Sequence, residues 1–381
     1  MIVGAAALAE LAVTERHLRR VWAVPGTRLG VVGHPAGAGE RLFLRWHYWW
    51  QAHLLDCVVD AQHRLPTTER ADTITAIVDG HRLRNLGLLG NRYYDDMAWW
   101  ALAMLRADPF VQRDLTPSVD LLARRIKDAW NADHGGIPWR KRDTFLNVPA
   151  SGPAAILLAR RGFLLRATEI TDWIERLLLR GDDHLVGDGL HPDPGRPGGY
   201  DIGSKVYTYN QGVVLGAELE LVRRTDVDPA RLHRLVLAIA TYLTTAAAPG
   251  RVLVGEGGGN GGLFTGILVR YLTRVALDLP GTSAADERTR DTATRLVLHS
   301  ADAAWSHRTE IDGLPVFGPD WSVPAQVPHP GGAGRVQGNA RVDASRQPER
   351  DLSVQLAGWM LMEAAESLQR SSFPAARTIG R

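Results

Sequence analysis

Two kinds of apolar pattern alternate along the chain. In one, small and apolar residues run nearly all round a helical repeat, and such stretches begin near Trp46, Tyr94, Asn147, Val206, Gly261 and Asp351. In the other, apolar residues form a single stripe among charges, over Glu10 to Val21, Thr68 to Arg84, Ser118 to Trp130, Glu169 to Arg180, Pro229 to Thr244 and Asp286 to Ala304. A helix that is apolar on every side is enclosed by protein, whereas a striped one faces water along its polar side. Few alternating runs are long enough for strands. Five of the enclosed helices start roughly 50 to 60 residues apart, longer than a tetratricopeptide or ankyrin unit and suited to a two-helix hairpin with its loops. Six such hairpins predict an all-α fold, an (α/α)6 barrel closed into a double ring, although an open α-solenoid carries the same pattern. We expect one domain over residues 1–381, with the Pro- and Gly-rich segment Pro315 to Gly338 as an extended loop before the last helix.

Composition narrows the class. With 381 residues, 45% hydrophobic and 23% charged, the chain belongs with globular proteins that bury a large core. The net charge is +2, and Lys127, Lys141 and Lys205 are the only lysines. The densest basic run, Arg140-Lys141-Arg142, ends at Asp143 and reads as a solvated loop, so no nucleic-acid partner is expected. Cys57 is the only cysteine, which excludes an internal disulfide and a thiolate zinc cage. Ile2 to Ala9 has no basic flank and continues into an amphipathic pattern, so it reads as part of a first helix. No run reaches the roughly 20 apolar residues that span a bilayer, and the expectation is a cytoplasmic protein without stable membrane insertion.

The chemistry concentrates at Tyr93-Tyr94-Asp95-Asp96, followed by Met97-Ala98-Trp99-Trp100. Adjacent carboxylates push their pKa values apart, which gives one neutral acid and one anion, the pair that glycoside hydrolysis requires. The same dipeptide suits the N-cap of the helix that Met97, Trp100, Ala101, Met104 and Leu105 announce. Gly257-Gly258-Gly259-Asn260-Gly261-Gly262 matches G-x-G-x-x-G after the strand-like Val252-Leu253-Val254, with Asp278 downstream, and taken alone suggests a nicotinamide dehydrogenase. The helical surroundings disfavour that fold, and no Gly-Lys-Ser/Thr follows for a Walker loop. Position 99 is Trp, so the acidic residue one turn on that an aspartate-rich magnesium motif needs is missing, and His47 and His53 lack the i, i+4 spacing of a helical zinc pair. Neither a metal nor another cofactor is expected. Trp46, Trp49, Trp50, Trp99, Trp100 and Trp139 lie near the starts of enclosed helices, where they suit either pyranose stacking or core packing, with Trp100 expected in the core. Tyr209-Asn210-Gln211-Gly212 opens another such helix with groups suited to sugar hydroxyls or to capping.

Taken together, these blocks resemble glycoside hydrolase family 76, the α-1,6-mannanases. Tyr93 to Leu102 is similar to the family signature, and Trp49 to Asp56, Gly135 to Trp139, Tyr207 to Gly212 and Gly257 to Ile267 are similar to further blocks in the same order. The resemblance implies an (α/α)6 barrel that cleaves internal α-1,6-mannosidic bonds with retention, with Asp95 as nucleophile and Asp96 as general acid/base. It implies α-mannan or mannooligosaccharide as substrate and moves the glycine loop to the rim of a sugar cleft. The expected substrate contacts are Trp50, Gln51, Tyr93, Tyr94, Trp139, Tyr209, Asn210, Gln211, Gly258, Gly259 and Asn260. Met97 stands where Asn is common in the family, Pro138 where an aromatic is, and Asn260 where Asp is, which bears on subsite preference. A transglycosylase using the same residues and a non-catalytic carbohydrate-binding toroid are the alternatives.

Overall fold

The computed structural model describes residues 4–247, 250–329 and 346–372. Among them, twelve long helices carry the architecture. In chain order they are α1 (Ala5–His17), α2 (Tyr48–Arg64), α3 (Thr68–Arg84), α4 (Tyr94–Ala107), α5 (Thr116–Lys127) and α6 (Val148–Arg160), then α7 (Leu164–Leu177), α8 (Thr208–Val222), α9 (Ala230–Tyr242), α10 (Gly261–Asp278), α11 (Ala284–Ser306) and α12 (Leu352–Ser372). Their starts are written locally. Thr67 and Asn147 accept the backbone N–H groups of Arg70 and Ala150 at 3.2 Å each, and Ser283 forms a capping box with Asp286.

The even-numbered helices form the inner ring. Each packs on the next, and α12 packs on α2 as well as on α10, which closes the barrel and excludes an open solenoid. Each odd-numbered helix lies outside its partner: α3 on α2, α5 on α4, α7 on α6, α9 on α8, α11 on α10 and α1 on α12. Burial follows the two sequence patterns. In α5 only Val119, Leu122, Ala123 and Ile126 are buried, a single stripe, whereas α8 is buried at every position from Thr208 to Leu221. Small residues set the spacing of the inner ring. A Cβ on Gly212 would stand 2.8 Å from Leu268 Cα, and one on Gly266 would stand 2.7 Å from Ala357 Cα, so α8, α10 and α12 approach backbone to backbone.

Three inner helices hold the loop before them by one device. Gln51, Gln211 and Gln355 are each the fourth residue of α2, α8 and α12. Each carboxamide oxygen accepts a loop N–H, from Gly30 (2.8 Å), Val186 (2.8 Å) and Phe317 (3.1 Å). Each carboxamide nitrogen donates to the carbonyl of that same loop residue, at 3.0, 2.8 and 2.8 Å. These loops enter the barrel where irregular backbone would otherwise lie unpaired, and the glutamines satisfy it.

Strands are short and confined to the loops. Leu146–Asn147, Gly189–Pro192 and Tyr200–Ile202 form a three-stranded antiparallel sheet, and Thr244–Ala247 pairs with Gly250–Leu253. Leu18–Arg19 pairs with Leu29–Gly30, so the first helix starts earlier and stops sooner than Glu10 to Val21. Leu314–Val316 belongs to a hairpin with Thr309–Ile311, which removes the start of the expected Pro315 to Gly338 loop; positions 330–338 lie outside the described residues. Among the described residues, no helix is long and apolar enough to cross a membrane.

Candidate active site

The N-terminal ends of the inner helices converge. Asp95 and Asp96 are the second and third residues of α4, not its cap; Tyr93 holds the N-cap position without a side-chain bond. Asp95 is partly exposed and Asp96 is buried, 8% accessible. Asp95 Oδ1 accepts the backbone N–H of Asp96 at 2.8 Å, and its Oδ2 accepts the indole N–H of Trp139 at 2.9 Å. Asn91 donates its side-chain N–H to Asp96 Oδ2 and fixes its own carbonyl on the Tyr93 N–H at 2.8 Å. The first turn of a helix favours negative charge, and these donors stabilise the ionised carboxylates.

Burial nevertheless dominates both carboxyls. It pushes Asp95 up to about 7, with the charge of Asp188 adding to the rise while the N–H groups of Asp96 and Trp139 oppose it. Burial, then the charge of Asp95, drives Asp96 well above the carboxylate range, against the Asn91 donor. Two close carboxyls in one low-dielectric site shed their protons in separate steps. Burial and mutual charge thus favour keeping a proton on the pair, and both carboxyls are raised.

Two more acids belong to this end of the barrel. Asp188 accepts the Asn210 side-chain N–H at 3.0 Å, and Glu256 accepts the Thr208 backbone N–H. Burial raises both, and Asp188 adds to the rise of Glu256. The sequence reading passed over Asp188, Glu256 and Asn91. Aromatic walls stand beside the acids. Tyr93 meets Trp139 edge-on at 5.3 Å, Tyr209 stacks on Phe264 at 4.0 Å, and Tyr94 is partly exposed.

The expected substrate contacts divide. Tyr93, Tyr94, Trp139, Tyr209 and Asn210 gather around the carboxyls. Trp50 is only 2% accessible and donates to Asn260 Oδ1 at 3.3 Å, so this pair ties the start of α2 to the start of α10 and offers no open stacking face. Gln51 and Gln211 are fully buried, and their amides are spent on loop backbone; as substrate contacts they are corrected to loop clamps. Gly258 is buried against Asp351, whose Oδ2 would lie 2.8 Å from an added Cβ. Gly259, at φ +60°, donates its N–H to that same oxygen at 2.8 Å, so the glycine loop is clasped to the start of α12. This clasp and the lack of any parallel sheet among the described residues remove the dinucleotide reading. Trp99 and Trp100 are core residues, with Trp100 stacked on His81 at 3.5 Å.

The sequence profile of glycosyl hydrolase family 76 matches residues 19–332. The chain belongs to this family. Solved structures agree with that placement. The GH76A α-1,6-mannanase from Salegentibacter sp. HEL1_6 is 26% identical with a TM-score of 0.77, over 96% of this chain and 98% of that one. An inactive variant of that family 76 enzyme, with two adjacent aspartates replaced by alanine, is solved in complex with α-1,6-mannotetraose; it is 27% identical with a TM-score of 0.76, over 96% of this chain and 98% of that one. The Lin0763 protein from Listeria innocua is 25% identical with a TM-score of 0.76, over 96% of this chain and 97% of that one. Among curated proteins no match is found.

Proposed function

We propose that the protein is a retaining glycosidase that cleaves α-1,6-mannosidic bonds within a mannan or mannooligosaccharide chain. One observation carries the reading: two adjacent carboxyls in the first turn of α4, one partly open and held by two N–H donors, the other buried and raised well above the carboxylate range, in a family 76 chain. The similar α-1,6-mannanase, whose variant altered at two adjacent aspartates is inactive yet holds α-1,6-mannotetraose, supports the substrate class.

In this reading a carboxylate oxygen of Asp95 attacks C1 of a mannose unit while the Asp96 proton passes to the glycosidic oxygen. The C1–O bond breaks, the leaving chain departs as an alcohol, and C1 is esterified to Asp95. Asp96, now a carboxylate, takes a proton from water, whose oxygen attacks C1 and releases Asp95. Two inversions give net retention. Trp139 holds Asp95 in position, Asn91 holds Asp96, and the Tyr93–Trp139 wall supplies an aromatic face for a sugar ring.

Chromatography of linear α-1,6-mannooligosaccharides after incubation tests this reading. Mid-chain products formed by the wild type and missing with Asp95→Asn and Asp96→Asn support it. Intact oligosaccharide, or unchanged products with either variant, contradicts it.

A further inference from the structure

At the opposite end of the barrel the C-terminal halves of the inner helices surround a cavity of about 540 Å³. That volume falls within the roughly 300 to 1,000 Å³ typical of small-molecule sites. Every inner helix or its C-terminal extension contributes an arginine to the lining: Arg64, Arg106, Arg160, Arg223, Arg270 and Arg370. Arg224 and Arg274 bring the guanidinium groups to eight, against five carboxylates.

Two carboxylates from outside the lining, Glu10 on Arg64 and Asp278 on Arg274, bring the acids to seven, so the eight guanidinium groups exceed them by one. Asp60 serves both Arg106 and Arg270, the latter at 2.8 Å. Glu220 likewise serves both Arg160, at 2.7 Å, and Arg224. Among the described residues Arg223 forms no ion pair. Arg274 is held below the usual guanidinium range by burial and by Arg160, Arg106 and Arg223, despite its pairing with Asp278. Arginines near helix C-termini complement the helix dipole. That role alone calls neither for five carboxylates among them nor for a cavity of this size between the side chains.

We propose that this cavity is a binding site for a small phosphate compound, separate from the sugar cleft. Arg223, which has no ion pair among the described residues, leaves one cation uncompensated in a ring of arginines, and planar guanidinium forks match phosphate oxygens in pairs. The site lies on the same inner ring, at the end away from Asp95 and Asp96 of α4.

Isothermal titration of the full chain with sodium pyrophosphate at constant ionic strength tests the site, with inorganic phosphate and citrate as comparison arms. Arg223→Ser and Arg274→Ser are suitable variants, since both side chains line the cavity with part of their surface in solvent and lie at the end of the barrel away from the carboxyl pair. The expected result is saturable one-to-one binding of pyrophosphate, weaker for phosphate and citrate. In the double variant affinity falls by at least about tenfold, the scale of one lost charge-assisted hydrogen bond, and mannooligosaccharide cleavage is retained. Heat no greater than matched salt produces, equal binding by the double variant, or citrate binding as tightly as pyrophosphate overturns the proposal. The binding readouts do not depend on the assignment of the sugar cleft; only the retained cleavage rests on that reading.

Discussion

Trp139 donates its indole N–H to Asp95 Oδ2 at 2.9 Å, while the backbone N–H of Asp96 occupies Oδ1 at 2.8 Å. The residue taken as the acid thus orients the residue taken as the nucleophile, and the indole completes the clamp. Trp139→Phe keeps the ring and loses a donor that favours the anion, so Asp95 becomes harder to ionise. The acid limb of the pH–rate profile is expected to move up by about one unit, with activity below the limb falling roughly tenfold. A profile overlying the wild type would show that the indole bond does not tune Asp95.

Asp188 acts on Asp95 in the opposite sense, since its charge adds to the rise that burial causes. Asp188→Asn removes that charge and leaves an oxygen to accept the Asn210 N–H. The acid limb is then expected to move down, which pH profiles of wild type and variant measure directly. A limb that moves up, or stays in place, contradicts an electrostatic role for Asp188.

The paired carboxyls of α4 are costly to the fold. The folded-state pKa of Asp95 lies near 7, above the unfolded value of about 3.9. The native state therefore binds more protons across that window, and stability falls as pH rises from about 4 to 7. Asp95→Asn is expected to raise the thermal midpoint at pH 8 by a few degrees, corresponding to about 2 kcal/mol, and to make no gain at pH 4. Activity is expected to fall by several decades in the same variant. Calorimetry at the two pH values decides; a variant less stable at pH 8 would contradict the burial penalty.

The two roles separate chemically. With an activated aryl α-mannoside and added azide, Asp96→Ala is expected to form the α-glycosyl azide, because the Asp95 ester still forms first. Asp95→Ala has no ester to pass through and is expected to give the β-azide by single displacement. Exchanged stereochemistry would exchange the assignments.

Much of this was legible in the sequence. All six inner helices start within two residues of Trp46, Tyr94, Asn147, Val206, Gly261 and Asp351, because enclosed helices carry an apolar pattern with little competing signal. The Asp pair was visible because both carboxyls sit in one turn. Asp188 was not: it lies in a loop and reaches Asp95 only through the ring, with no periodicity to mark it. Gln51 and Gln211 were misplaced for a different reason. An amide at a helix start suits a sugar or a loop equally, and the deciding signal was Gln355, at the same register in α12. Gln51→Leu and Gln355→Leu are each expected to cost about 2 to 4 kcal/mol by leaving two buried backbone groups unpaired, readable by denaturant titration. A loss below about 0.5 kcal/mol, the scale of an ordinary surface change, would contradict the clamp.

The most direct test of the account is the anomeric configuration of the first-formed product. Linear α-1,6-mannooligosaccharide is incubated with the wild type, and the new reducing end is followed by proton NMR before mutarotation, beside Asp95→Asn. The account predicts an α-anomeric reducing end that appears first and is missing with the variant. A β-anomer formed first, or cleavage that persists in Asp95→Asn, would contradict double displacement through Asp95.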